Sequence, residues 1–224
     1  MDYDECYRSS AGIGAGALDD ELKTEFVVGG EAGSRVGLEM ARAERDVSEV
    51  LSAADTAHAV TRIASEIIEM NGGGAELAVV GIHTGGVPLA ERIVAALGRL
   101  GETPAATGTV DITLYRDDLS QIGPAPVVRS TDVAFDVAGM TVVLVDDVVF
   151  TGRTVRAAID NLMDLGRPKR IELAALIDRG GRELPIQPDF TGKRVSVEPD
   201  RIIEVVFGDD GDRVITYRNP AGRR

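Results

Sequence analysis

The stretch Val142–Thr154, with the sequence VVLVDDVVFTGRT, decides the fold. The residues from Met140 to Val145 are nearly all apolar and mostly β-branched, which is typical of a parallel strand buried on both faces. Two adjacent carboxylates, Asp146 and Asp147, end this apolar run, and apolar residues at helical spacing follow from Val155. The order predicts a strand, a short loop and a helix, with two acids at the carboxyl end of the strand.

The loop of this unit is predicted to bind a phosphate group. Backbone N–H groups at the start of a helix attract anions, and the positive end of the helix dipole adds to that attraction. Gly152 lets the backbone approach the anion closely, and the hydroxyls of Thr151 and Thr154 add donors. An acidic pair alone is typical of a solvated strand end. The complete order favours a site in which Asp146 and Asp147 face the sugar attached to that phosphate.

A second strand, loop and helix precede this unit. Leu77–Ile82 reads as a short buried strand, and a helix is predicted from about Pro88 to Leu100. The loop between them contains Thr84, Gly85 and Gly86, which we expect to hold a second anion, a diphosphate leaving group. The alternative for this loop is a simple turn.

Composition indicates one globular domain with an extension. The chain has 224 residues, of which 44% are hydrophobic, and a net charge of −13. We expect residues 1–48 to form a flexible acidic N-terminal extension and residues 49–224 to form the domain. The single cysteine, the absence of a membrane-span pattern and the acidic first residues favour a soluble cytoplasmic protein. The acidic balance disfavours non-specific binding to nucleic acid.

The remaining pattern predicts further elements around these two units. Asp55 is expected to be the N-cap of a helix with an apolar stripe, and a short helix is expected near Leu38–Val50. The polar segment from Arg116 to about residue 132 is predicted to be a lid. Four further strands are predicted, the last two joined by a hairpin turn: Gly108–Tyr115, Ile171–Ile177, Arg201–Val206 and Arg213–Tyr217.

From about residue 48 to 218 the chain resembles the PyrR family, the pyrimidine operon attenuation regulators that are also uracil phosphoribosyltransferases. The resemblance rests on the Val142–Thr154 motif, on TLYRDDL at residues 113–119 and on DRG with RELP within residues 178–185. It implies an α/β type I phosphoribosyltransferase fold, with a mostly parallel central sheet flanked by helices, a small hood and a C-terminal hairpin.

The resemblance also implies an activity: uracil and phosphoribosyl diphosphate (PRPP), bound with Mg²⁺, give UMP and diphosphate. Family members bind pyrimidine-operon leader RNA when UMP is present, promote transcription termination or limit translation, and form dimers or higher homo-oligomers. Asp146 and Asp147 would be the catalytic residues, engaging the ribose hydroxyls directly or through Mg²⁺. The other implied contacts are, for PRPP, Val148, Val149, Phe150, Thr151, Gly152, Arg153, Thr154, Thr84, Gly85 and Gly86; for the lid, Arg116 and Asp117; for the base, Asp178, Arg179 and Gly180; and for RNA, Thr61, Arg62 and Arg182.

Several residues depart from the family pattern. Gly85 stands where PyrR relatives usually carry an arginine, which predicts weakened catalysis because a cation would stabilise the leaving group. Gly181 replaces an expected histidine, and other basic or histidine positions are occupied by Ser65, Met70 and Gln187, which predicts weakened RNA binding. Two alternatives follow: an RNA-binding or nucleotide-sensing regulator with negligible catalysis, and a phosphoribosyltransferase for another base.

Overall fold

The structure is a computed structural model that describes residues 46–112 and 131–219. The described residues form eight strands and three helices. In chain order these are β1 (Ser48–Leu51), α1 (Ala53–Asn71), β2 (Leu77–Ile82), α2 (Gly86–Arg99), β3 (Ala106–Val110), β4 (Thr141–Val149), α3 (Arg153–Leu165), β5 (Arg170–Asp178), β6 (Phe190–Arg194), β7 (Arg201–Val206) and β8 (Arg213–Arg218).

The central sheet has five parallel strands in the order β3-β2-β4-β5-β6. Alternate residues of β4 serve two separate cores: Val143 and Val145 pack with α1 and α2, whereas Val142 and Leu144 pack with α3. Helices therefore cover both faces of the sheet, which explains why β2 and most of β4 are continuously apolar. Because all five strands are parallel, the loops that follow β2, β4 and β5 emerge at the same edge.

A second, antiparallel sheet has the order β1-β8-β7. The hairpin of β7 and β8 has the predicted positions, with β8 one residue longer than expected. The helix expected near Leu38–Val50 is wrong over its described part, because Ser48–Leu51 is a strand paired with β8. Its strand partner is more than 150 residues away in the chain, so the local sequence carries little signal for it.

Several predicted boundaries are corrected by the structure. Ser52, not Asp55, is the N-cap of α1: its hydroxyl accepts a hydrogen bond from the backbone N–H of Asp55 at 3.2 Å. The two acids do not end β4, since pairing with β5 continues from Asp146 to Val149. Helix α2 begins two residues earlier than expected. Strand β3 ends at Val110, and the rest of the predicted Gly108–Tyr115 strand lies partly outside the described residues.

Candidate functional site

The phosphate loop, residues Phe150–Gly152, connects the end of β4 to the first residue of α3. Gly152 is the N-cap of α3 and has φ +91°, a left-handed conformation that side-chain-bearing residues rarely adopt. It supplies no side-chain acceptor to the first turn of the helix. The backbone N–H of Arg153 instead points to the hydroxyl of Thr151, at 3.4 Å. A glycine N-cap of this kind leaves room for an external anion at the positive end of the helix.

The acidic pair, Asp146 and Asp147, lies near the carboxyl end of strand β4, a few residues before this loop. Asp146 is 6% exposed, and its Oδ1 accepts a hydrogen bond from the backbone N–H of Asp147 at 3.1 Å. Burial raises the pKa of Asp146 well above its ordinary value, and the neighbouring charge of Asp147 raises it further. Burial also raises the pKa of Asp147. A buried carboxylate next to a half-buried one favours a proton, a cation or a positively charged ligand beside the pair.

The second loop, residues Thr84–Gly86, lies directly against the acidic pair. A Cβ atom built on Gly85 would lie 2.1 Å from Oδ2 and 2.2 Å from Cγ of Asp147. A Cβ atom on Gly86 would lie 2.2 Å from the carbonyl oxygen of Val145. Both glycines therefore allow the backbone of this loop to approach β4 more closely than any other residue would. The absence of an arginine at position 85 has a structural consequence, because Asp147 uses that space.

The third loop follows β5 and begins at Asp178, which is 6% exposed. Its carboxylate accepts hydrogen bonds from the backbone N–H of Gly180 at 2.9 Å and from Arg182 at 2.7 Å. The guanidinium of Arg179 lies 4.2 Å from the ring centroid of Phe150, a cation–π contact that joins this loop to the phosphate loop. A Cβ atom on Gly181 would lie 2.4 Å from the Phe150 ring, so glycine at this position makes room for the ring.

The structure thus brings together the predicted residues of three loops: 84–86, 146–154 and 178–180. The predicted RNA contacts Thr61 and Arg62 lie elsewhere, on the exposed face of α1. Arg62 donates hydrogen bonds to Glu66 and to the carbonyl oxygens of Thr191 and Gly192.

The lid residues Arg116 and Asp117 lie outside the described residues. Sequence reasoning missed the stack of Arg179 on Phe150, for which an exposed aromatic residue inside the motif was the only signal.

Arg182 does not lie on an exposed face with Arg62. Its side chain is 11% exposed and its guanidinium donates to backbone carbonyls within the third loop and the phosphate loop. The expectation that it contacts RNA directly therefore lacks the exposed cation that such a contact needs.

The comparisons with known proteins agree with this architecture. Residues 46–210 match the family model of the phosphoribosyl transferase domain. The Bifunctional protein PyrR of Roseiflexus sp. (strain RS-1) is 56% identical over 179 residues, which cover 78% of this chain and 98% of that protein. The chain belongs to the PyrR family. Another PyrR relative, from Deinococcus radiodurans, is 49% identical over 172 residues, covering 76% of this chain and 94% of that protein.

Solved structures of more distant proteins share the fold of this PyrR family member. A hypoxanthine phosphoribosyltransferase from Staphylococcus aureus has a TM-score of 0.55 at 18% identity, covering 69% of this chain and 82% of that chain. A hypoxanthine-guanine phosphoribosyltransferase from Bacillus anthracis has a TM-score of 0.55 at 17% identity, covering 69% and 86%. The predicted type I phosphoribosyltransferase fold is confirmed, and the sheet beside the core includes β1 as well as the C-terminal hairpin.

Two further properties bear on ligands and location. Among the described residues, none of the helices combines the length and apolar character that crossing a bilayer requires. Over residues 46–112 and 131–219, no cluster of three or more histidine, cysteine, aspartate or glutamate side chains is arranged to hold a metal ion.

Proposed function

We propose that the protein transfers the ribose 5-phosphate group of PRPP to N1 of uracil, forming UMP and releasing diphosphate. The observation that carries the proposal is an acidic pair, with Asp146 buried and Asp147 half-buried, that lies between two glycine-containing loops at the carboxyl edge of a parallel sheet. Open α/β sheets bind ligands at this edge. A sugar carrying a phosphate on one side and a diphosphate on the other matches an acidic pair flanked by two anion loops.

Each loop has a separate part in this proposal. Backbone N–H groups from Thr151 to Thr154 would hold the 5-phosphate at the start of α3. The loop Thr84–Gly86 would face the diphosphate. The loop Asp178–Gly180, together with the ring of Phe150, would lie beside the base, since it emerges next to the phosphate loop at the same edge of the sheet.

The acidic pair would act on the sugar. When the bond from C1 of the ribose to diphosphate breaks before the new bond to uracil is complete, the sugar ring becomes positively charged. Asp146 is buried and Asp147 is half-buried, and a carboxylate shielded from water stabilises a nearby cation more strongly than it does in solution. The same burial that raises their pKa values therefore becomes favourable when the cation forms.

The donor set of the site suits Mg²⁺ bound together with PRPP. Mg²⁺ is commonly held by one or two carboxylates, with waters and substrate phosphates completing its octahedral shell. Asp146 and Asp147 supply two hard oxygen ligands, and burial raises the pKa of both, so a nearby cation would favour their charged forms. When bound, the ion would neutralise charge on the leaving diphosphate.

We also propose a second activity: UMP-dependent binding of pyrimidine-operon leader RNA by homo-oligomers, which regulates pyrimidine genes. The relatives carry the word bifunctional in their names, and Thr61 and Arg62 lie exposed on α1. Since PRPP and nascent transcripts are intracellular, we place the protein in the cytoplasm. The proposed N-terminal extension would end before residue 46, where the family match begins, because Ser48, the last residue of the expected 1–48 extension, already belongs to β1.

A panel of bases assayed with PRPP and Mg²⁺ tests the enzymatic proposal. Diphosphate release should depend on uracil, and chromatography should identify UMP, whereas cytosine, hypoxanthine and orotate should support little release. Asp146→Asn with Asp147→Asn should abolish most turnover. Asp210→Asn is the matched control, because it makes the same change in the exposed turn between β7 and β8, and it should retain full turnover.

Two outcomes would favour the alternatives. Release driven by another base would identify a different phosphoribosyltransferase. No release with any base, together with a UMP-dependent shift of leader RNA on a gel, would indicate a regulator with negligible catalysis.

A further inference from the structure

Arg182 has an unusual environment for a residue in a surface loop. Its guanidinium makes five hydrogen bonds to the chain, although no regular element contains it. The acceptors are the carbonyl oxygens of Val149 (3.3 Å), Phe150 (2.7 Å), Gly180 (3.2 Å) and Ile186 (2.8 Å), and Oδ1 of Asp178 (2.7 Å).

These acceptors belong to two different parts of the candidate site. Val149 and Phe150 are the last residue of β4 and the first of the phosphate loop. Asp178 and Gly180 belong to the loop placed beside the base. One side chain therefore holds both loops, and the same segment reinforces the contact: the backbone N–H groups of Glu183 and Leu184 donate to the carbonyl oxygen of Thr151 at 2.9 and 3.2 Å.

The chemistry of this contact requires arginine. A guanidinium is a planar fork with five N–H donors, and it stays charged under all ordinary conditions. Lysine has the same charge on a single nitrogen, so it cannot reach acceptors that surround Arg182 on several sides. A buried carbonyl oxygen that loses its hydrogen-bond donor raises the free energy of the folded protein. The loops would then rearrange to find water or other donors.

We propose that Arg182 is a positioning residue that fixes the phosphate loop and the base loop relative to each other, so that one nucleotide can occupy both. This inference rests on the proposed function, since it takes the nucleotide to be the ligand that spans the two loops. Its consequence concerns selectivity among ligands. A ligand that spans both loops depends on their relative position, whereas ribose 5-phosphate, which has no base, depends on the phosphate loop and the acids.

Titration calorimetry with UMP and with ribose 5-phosphate tests the proposal on the full chain. Arg182→Lys should weaken UMP binding at least roughly tenfold, the effect of losing a charged hydrogen bond. It should weaken ribose 5-phosphate binding by less than about threefold, because one loop suffices for that ligand. Equal losses for both ligands would indicate general damage to the site and overturn the proposal, as would unchanged UMP binding.

Arg194→Lys is the matched control. Arg194 also pairs with Asp178, at 3.6 Å, but its side chain is 77% exposed and no hydrogen bond joins it to the carbonyl oxygens that Arg182 holds. The same chemical change there should leave both affinities within about twofold, a free-energy change under about 0.5 kcal/mol. A loss of UMP affinity as large as in Arg182→Lys would mean that the pairing with the charge on Asp178, and not the connection that Arg182 makes between the two loops, is responsible. That outcome would overturn the proposal.

A ligand-free measurement separates this inference from the proposed function. Amide hydrogen exchange should accelerate in Arg182→Lys more in residues 178–186 than in residues 150–154, and it should stay unchanged in Arg194→Lys. Unchanged exchange in both variants overturns the positioning role of Arg182, whichever ligand the site binds. If the wild-type protein binds neither UMP nor ribose 5-phosphate, the proposed function is refuted. Faster exchange in Arg182→Lys would still support the positioning role of Arg182. Should Arg182→Lys not fold, Asp178→Asn carries the same exchange prediction with a smaller effect.

Discussion

Replacing Gly85 by alanine tests how closely the second anion loop and the acidic pair depend on each other. The new Cβ atom would lie 2.1 Å from Oδ2 and 2.2 Å from Cγ of Asp147, whereas real Cβ contacts essentially never fall below 3.0 Å. The carboxylate must therefore move by roughly 1 Å or turn to another rotamer. A displacement of that size at a reacting group can reduce a rate about 100-fold.

A second estimate gives a similar magnitude. A hydrogen bond to a charged group contributes about 1.5–3 kcal/mol. At about 1.4 kcal/mol for each factor of ten, losing the contact between Asp147 and the sugar should lower kcat/KM for PRPP about 10- to 150-fold. The assay is initial-rate diphosphate release at saturating uracil, with PRPP varied. Gly98→Ala is the control, since its Cβ atom on α2 would have no atom within 4 Å.

A double mutant identifies the cause. In an Asp147→Ala background, Gly85→Ala should have little further effect, because the side chain with which it collides is absent. The same reasoning predicts that Gly85→Arg lowers activity, since arginine begins with the same Cβ atom, contrary to the expectation from sequence that a cation at position 85 would strengthen catalysis. A Gly85→Ala enzyme that keeps more than half of its kcat/KM would refute the argument. So would an equal loss in the presence and absence of Asp147.

Three further predictions concern the acids, the phosphate loop and RNA. Burial raises the pKa of Asp146, so the stability of the ligand-free protein should fall as pH rises from about 3.8, the ordinary value, through the raised pKa. Asp146→Asn should reduce this fall, leaving the part due to Asp147, and should raise Tm at pH 8. Calorimetry from pH 4 to 8 would contradict this if Tm of the variant at pH 8 were lower than that of the wild type. Gly152→Ala should cost about 1–2 kcal/mol because of φ +91° and also weaken PRPP binding, whereas Gly101→Ala, at φ +88° with open space around it, should cost the same stability without affecting PRPP. Arg62→Gln should weaken the leader-RNA gel shift and reduce its salt slope by about 1 at unchanged UMP affinity, while the exposed Arg99→Gln should leave the shift intact.

The parts of the fold that sequence predicts best are those whose burial is complete. Strand β2 has the predicted bounds, Leu77–Ile82, because all six of its residues lie inside the sheet and are apolar or glycine. The hairpin of β7 and β8 is also where turn chemistry places it. These elements carry their own signal, since each side chain reports directly on the environment of its position.

The elements that sequence misses depend on distant partners. Strand β1 and strand β6 are short and partly polar, and each exists because a neighbouring strand, β8 or β5, supplies its hydrogen bonds. The extension of β4 through Asp146 and Asp147 has the same origin. An acidic pair alone indicates the end of a strand, but a parallel neighbour allows the ladder to continue past it.

The candidate site shows the same division. Its three loops could be expected at one edge, because parallel strands with loops at their carboxyl ends leave no other arrangement. The contact of Gly85 with Asp147 joins residues far apart in the chain, and no local pattern indicates it. The inward direction of Arg182 was likewise hidden, since an arginine in a charged loop reads as a surface residue until its acceptors are known.

A crystal structure of the protein with UMP tests the central claim most directly. The account predicts phosphate oxygens within about 3 Å of backbone N–H groups from Thr151 to Thr154, with the ribose hydroxyls facing Asp146 and Asp147. A nucleotide whose phosphate lies away from the start of α3 would contradict it. So would an acidic pair that bonds only to protein atoms while UMP is bound elsewhere.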